Sequence, residues 1–188
     1  MTPVGERATI RPMSLAASSR SGRAVYLLTV AGTVLWLAAV FLAPWLAARG
    51  APGAARFIYA VFSSVCHQIP DRCFVFQGHP LAVCGRCLGI YAGFAAGLVL
   101  YPLVRGFSRP ALPPARIFLL LTLPMAVDAA VGILGVWVSP IGFRFATGLA
   151  WGTLLPFYLV TGISDLLSTR NKRAAARVLE KTTPKKVE

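Results

Sequence analysis

Acidic side chains are scarce in this sequence: 6 Asp and Glu in 188 residues, against 19 Lys and Arg. Charged residues of both signs reach only 13%, about half the roughly 25% of a soluble domain. That shortage, beside 56% hydrophobic residues and a mean hydropathy of +0.68, excludes an ordinary water-soluble globular domain and a disordered chain. Cysteine and histidine are also few. The 4 Cys and 2 His all fall between positions 66 and 87, so any chemistry that needs them is confined to one segment. No base-reading element accompanies the net charge of +13. Lipid is therefore the expected partner, and nucleic acid is not.

What is abundant is uninterrupted apolar sequence. A helix crosses a bilayer with about 20 mostly apolar residues. Residues 24–48, 87–104 and 145–164 carry no charge, and 117–138 is apolar except for Asp128. These runs predict four spans. A fifth run, 57–65, is too short to cross and suits a helix at the interface. The first run has 25 residues, more than the roughly 7–15 of a signal-peptide core, so it reads as a span. The expected fold is an all-α, polytopic membrane protein with four transmembrane helices and a short extracytoplasmic interfacial helix.

Positive charge sets orientation, because basic residues accumulate on the cytoplasmic side. With the N-terminus inside, 14 of the 19 basic residues lie in cytoplasmic segments and 5 outside: Arg49, Arg56, Arg72, Arg86 and Arg144. The expectation is a multi-pass protein of the cell (inner) membrane with both termini cytoplasmic. Residues 1–22 read as a disordered cytoplasmic segment and 23–168 as the membrane domain, with a Cys/His loop at 53–87. Residues 169–188 read as a basic cytoplasmic tail that begins helical and frays. The connection at 105–116 holds Pro110, Pro113 and Pro114 and reads as stiff.

Lipid gives helices no hydrophobic reason to associate, so small residues that admit close backbone approach carry the packing. Gly85, Gly89, Gly93 and Gly97 form one stripe in the second span, and Gly148 and Gly152 repeat the spacing in the fourth. The stripes suit contacts within the chain or between copies in a homo-oligomer. Asp128, deep in the third span, needs a partner. Arg144, opening the fourth, is the expected one. The pair reads as a polar lock between helices or as a proton or substrate site.

The Cys/His segment reads Cys66-His67-Gln68-Ile69-Pro70-Asp71-Arg72-Cys73, then Gly78-His79-Pro80, then Cys84-Gly85-Arg86-Cys87. Three chemistries fit. Cys84 and Cys87, spaced i and i+3 at a helix start, can join Cys66 and His67, His79 or Cys73 in a tetrahedral metal site. The same C-x-x-C, lowered in pKa by a helix N-terminus and Arg86, suits thiol–disulfide exchange coupled to quinone. Four cysteines outside the cytoplasm also suit two structural disulfides.

The C-H-Q-x-P-x-R block (Cys66, His67, Gln68, Pro70, Arg72) and the G-x-P-x-x-V-C-x-R-C-x-G-I-Y-x-G block are distinctive. The second runs through Gly78, Pro80, Val83, Cys84, Arg86, Cys87, Gly89, Ile90, Tyr91 and Gly93. Together they resemble a family of bacterial and archaeal membrane proteins, domain of unknown function 2085, over roughly residues 55–165. Asp128, and Arg144 with Gly148, resemble its later polar positions. The resemblance implies a polytopic membrane protein and supplies no activity. The family usually has Ser at the position of Cys73, which implies a ligand set of Cys66, Cys84 and Cys87 plus a histidine.

The expected function is therefore an integral membrane protein whose extracytoplasmic Cys66, His67, Cys84 and Cys87 hold a metal ion. Zinc suits Cys/His ligation best, with copper as the softer candidate. Gln68, Arg72, Cys73, His79 and Arg86 would support the ligands or face a substrate. The alternatives are the quinone-linked thiol oxidoreductase and a small transporter using Asp128 and Arg144.

Overall fold

Lipid offers no partner to a free backbone N–H or C=O, so long apolar runs close their hydrogen bonds internally as helices. The computed structural model describes residues 13–104, 114–135 and 137–182. Its elements are α1 (Met13–Ala48), α2 (Pro52–Ser63), a 3-10 turn (Pro70–Arg72), β1 (Val75–Phe76), β2 (His79–Pro80), α3 (Gly85–Val104), α4 (Ala115–Ile133) and α5 (Ile141–Thr182). Four segments are long and apolar enough to cross a membrane: Arg23–Ala48, Gly85–Leu103, Ala115–Ile133 and Ile141–Ile163. The fold is all-α and multi-pass. Large side chains such as Leu28, Leu35, Leu103 and Leu120 stay exposed on the helices, as befits an apolar solvent.

One boundary differs from the sequence reading. Helix α1 starts at Met13, so residues 13–22 are helical where disorder is expected. Once a span is helical, each added residue gains a hydrogen bond without a new nucleation cost. At the other end, α5 runs to Thr182, past the span. The disorder expected for 1–12 and 183–188, and most of the stiff connection at 105–116, lie outside the described residues.

Helix α2 is the short fifth helix. Pro52 at its first turn suits a position whose N–H needs no partner. Ala55, Ile58, Tyr59 and Phe62 recur at helical spacing and face inward, where Phe62 meets Trp36 of α1 edge-on at 4.8 Å between ring centroids. After α2, a two-residue hairpin interrupts the otherwise helical fold. Gln77 and Gly78 form its turn with φ of 50° and 80°, the pairing of positive values that matches strand twist in a type I′ turn.

The glycine stripes join α3 to α5, side by side and parallel. A Cβ placed on Gly89 would overlap the backbone oxygen of Phe145, one on Gly93 that of Leu149, and one on Gly97 that of Thr153. The contact is reciprocal: Gly148 lies on Arg86 and Gly152 on Ile90. Both stripes are thus used within the chain. The other spans attach less extensively, by apolar contacts joined by hydrogen bonds between helices. Tyr26 of α1 donates to Leu98 O at 3.0 Å, and Trp151 of α5 donates to Thr122 Oγ1 of α4 at 2.8 Å. The larger apolar core sits at the end where α3 begins. It gathers Val40 and Ala43 of α1, Phe62 of α2, and Leu81, Ala82, Val83 and Leu88 around Cys66.

Candidate metal centre

Cys66 stands one turn past the end of α2, its N–H donating to Phe62 O at 3.0 Å. The next residues turn sharply, with Gln68 at φ 49°. Its amide then reaches inward and donates to Tyr59 O and Ala82 O, each at 2.8 Å. Tyr59 OH donates to Pro80 O at 2.6 Å. These bonds fasten residues 80–82 onto α2 and so deliver Cys84 to Cys66. The Cys84 N–H donates to Cys66 Sγ at 3.2 Å, and Cys84 O accepts the first helical bond of α3 from Leu88 N at 2.9 Å. Cys84 is therefore the N-cap of α3, and Cys87 stands one turn in on the same side.

The outcome is a triangle of sulfurs. Cys66, Cys84 and Cys87 place their Sγ atoms within 4.8 Å of one another. All four cysteines are free thiols. Hydrogen bonds from the Cys66 and Cys87 thiols hold Cys84 well below the usual thiol range, and the N-terminus of α3 favours negative charge at the same place. Cys73 behaves in the opposite way. Burial, then the neighbouring Cys84 and Cys66, push its pKa up to about 11, and its Sγ donates to Ile69 O at 3.2 Å. It stands outside the triangle.

The histidines do not complete a four-ligand shell in this geometry. The turn at Gln68 that sends its amide inward leaves His67 exposed, outside the sulfur group. His79 is paired with Phe76 in the hairpin. Three sulfurs make the group, not three sulfurs and an imidazole. Sulfurs at this separation suit a metal closely: a Zn–S bond of about 2.3 Å in a tetrahedron sets sulfurs roughly 3.8 Å apart, so small side-chain movements suffice.

Beside the triangle runs a polar chain that links three helices. Asp128 of α4 is buried, 4% exposed. Its Oδ2 accepts from Arg86 Nη2 of α3, and its Oδ1 accepts from Ser139 Oγ. Arg144 Nε of α5 donates to Ser139 O at 3.1 Å. The expected Asp128–Arg144 pair is therefore corrected. The direct partner of Asp128 is Arg86, and Arg144 is joined only through Ser139. The reason is azimuth: Arg86 lies on the face of α3 that touches Gly148, which brings it between α5 and α4. Residues 137–140 then fold Ser139 into the gap. Gly132, whose added Cβ would meet Arg144 Nη2 at 3.5 Å, leaves room for the guanidinium. Neither Ser139 nor Gly132 stands out in the sequence; the one signal is a Ser-Pro pair just ahead of the fourth span.

The three sulfurs and the two arginines of the polar chain share a cavity of about 340 Å³, lined by Cys66, Cys84 and Cys87 with Arg72, Arg86 and Arg144; His67 and Gln68 also reach it. Because Gln68 fixes the approach of Cys84 to Cys66 without joining the sulfur group, Gln68→Ala is expected to weaken whatever metal binding the three sulfurs support about ten- to a hundredfold. Titration with zinc against a chromophoric chelator would read this. An unchanged affinity would show that the loop holds its shape without the amide.

The model of a family described as "Predicted membrane protein (DUF2085)" matches residues 66–158. An uncharacterised protein of Methanocaldococcus jannaschii is 35% identical over 152 residues, which cover 78% of this chain and 97% of that protein. An uncharacterised protein of Methanothermobacter thermautotrophicus is 37% identical over 91 residues, 48% of this chain and 80% of that one. No solved structure matches the chain.

Proposed function

The chain belongs to the DUF2085 family of predicted membrane proteins, and from that premise we propose that it is a metalloprotein of the cell membrane. In this reading Cys66, Cys84 and Cys87 hold a zinc ion at the head of the second span. The observation that carries it is the convergence of three thiols from two separate chain segments, within 4.8 Å, on one cavity. Structural zinc sites close all four positions with protein ligands, whereas sites that act on a molecule keep one open. Here three sulfurs line the cavity, so the fourth position is open to water or to a bound molecule. Zinc suits the all-thiolate donor set; copper in its reduced state is the soft alternative. The excess of basic residues at the opposite end of the bundle supports an orientation with both termini cytoplasmic and the site extracytoplasmic.

The test is metal analysis joined to thiol titration on one detergent-purified sample. About one zinc per chain is expected, with Cys66, Cys84 and Cys87 protected from alkylation until a chelator is added. Cys84→Ser should reduce bound zinc at least tenfold. A chain that arrives empty, cannot take up zinc and alkylates freely would overturn the reading. A Cys84–Cys87 disulfide that opens and re-forms with added quinone would replace it with thiol redox chemistry.

A further inference from the structure

We propose that the cavity binds a phosphate group, with Arg72, Arg86 and Arg144 as its receptors. This goes beyond the metal reading and stands without it. The first ground is unmet hydrogen-bonding capacity. Arg144 is 4% exposed, and its Nη2 is buried without a hydrogen-bond partner; the Nε of Arg86 is buried and likewise unpartnered. A buried guanidinium N–H left unpaired is costly, and both arginines line the cavity.

The second ground is charge. Three arginines face the space and one aspartate, Asp128, answers them through Arg86. That leaves two positive charges. A zinc held by three thiolates carries one negative charge, so the cavity stays cationic with the metal in place. The basic residues outside the cytoplasmic segments point the same way. Of the five that run against the charge rule, three are these arginines.

The third ground is geometry. Arg72 comes from the 3-10 turn, Arg86 from α3 and Arg144 from α5, so arginines from three elements line one space. A planar carboxylate is satisfied by a single guanidinium fork, whereas a tetrahedral phosphate has oxygens for several. Above this cationic floor the lining turns apolar: Val65 and Ile69 of the loop and Ile133 of α4, 51%, 39% and 85% exposed. A charged floor under a greasy rim at a span end suits the phosphate of an amphiphile. Free phosphate shares the recognition chemistry.

The experiment uses the full chain in non-ionic detergent and phosphate-free buffer, with zinc measured in every sample. One arm follows radiolabelled orthophosphate by equilibrium dialysis. The other follows retention of phosphatidylglycerol against diacylglycerol by native mass spectrometry. Saturable binding in one arm is expected, and the arm identifies the source. Arg72→Gln and Arg144→Lys should each weaken it tenfold or more at unchanged zinc content. Should the buried Arg144→Lys fail to fold, Arg72→Gln decides. Zinc-loaded protein that binds neither probe, or variants that bind as wild type, would overturn the phosphate site and leave the metal reading standing. Phosphate binding by protein that takes up no zinc would support this inference and remove the metal reading.

Discussion

Gly93→Ala is expected to destabilise the bundle by about 3 kcal/mol, at the upper end of overpacking penalties. The added methyl would overlap the backbone oxygen of Leu149 and stand 2.9 Å from its carbonyl carbon. Backbone cannot rotate away as a side chain can, so α3 and α5 must separate along their whole contact. Separation loses the dispersion contacts that hold helices together in lipid, where no hydrophobic term replaces them. The size of the effect should follow what each methyl meets. Gly85→Ala meets the Cγ2 of Ile141 at 2.8 Å and its backbone oxygen at 3.2 Å, a smaller overlap with backbone than at Gly93, and should be milder. Gly32→Ala and Gly162→Ala meet nothing within 4 Å and should fall within about 0.5 kcal/mol of wild type. Tryptophan fluorescence during SDS titration reads all four, because Trp151 lies on α5. Gly93→Ala as stable as Gly32→Ala would show that the α3–α5 contact is looser than the structure has it.

The faces that make that contact were legible in the sequence because their cause is periodic, although their pairing within one chain was not. Four glycines at a spacing of four mark one helix face, and Gly148 and Gly152 repeat the spacing. The spans were legible for a similar reason, since bilayer thickness fixes the length of an apolar run. Within the site, the C-x-x-C pair was legible from helix geometry, which sets both sulfurs on one side of a helix start. The rest depended on facts that spacing does not hold. The partner of Asp128 turned on the azimuth of Arg86 around α3, whereas sequence position gives depth along an axis. Ser139 became part of the polar chain because residues 137–140 fold inward, and nothing periodic marks such a segment. The hairpin escaped notice because its strands are two residues long and its turn is Gln77-Gly78 instead of the commoner Asn-Gly. His67 was a natural ligand beside Cys66; in the structure it lines the same cavity but is exposed and lies outside the group of three sulfurs.

Asp128→Ala is expected to cost at least about 3 kcal/mol, because removing one member of a buried ion pair strands the other. The aspartate lies roughly 8 Å inside the end of α4 at 1.5 Å per residue, with its side chain 2% exposed and that of Arg86 20% exposed. Arg86 can turn partly toward the cavity, which keeps the loss at the lower end of the range. Ser139 loses its acceptor at the same time, so Arg144 loses the segment that positions it. Asp128→Asn is the informative contrast. It keeps an acceptor oxygen for one of the two bonds and gives up the charge and the other acceptor, and should cost about half as much. If the pair is a lock between helices, the double variant Asp128→Leu, Arg86→Met should recover most of the stability, because two well-packed apolar side chains replace two desolvated charges. The coupling between the two positions should then exceed about 1 kcal/mol. A proton or substrate site predicts another pattern: single variants that unfold like wild type but have lost an activity. Equal stability of wild type and Asp128→Ala in SDS titration would therefore remove the lock and return Asp128 to the candidates for transport.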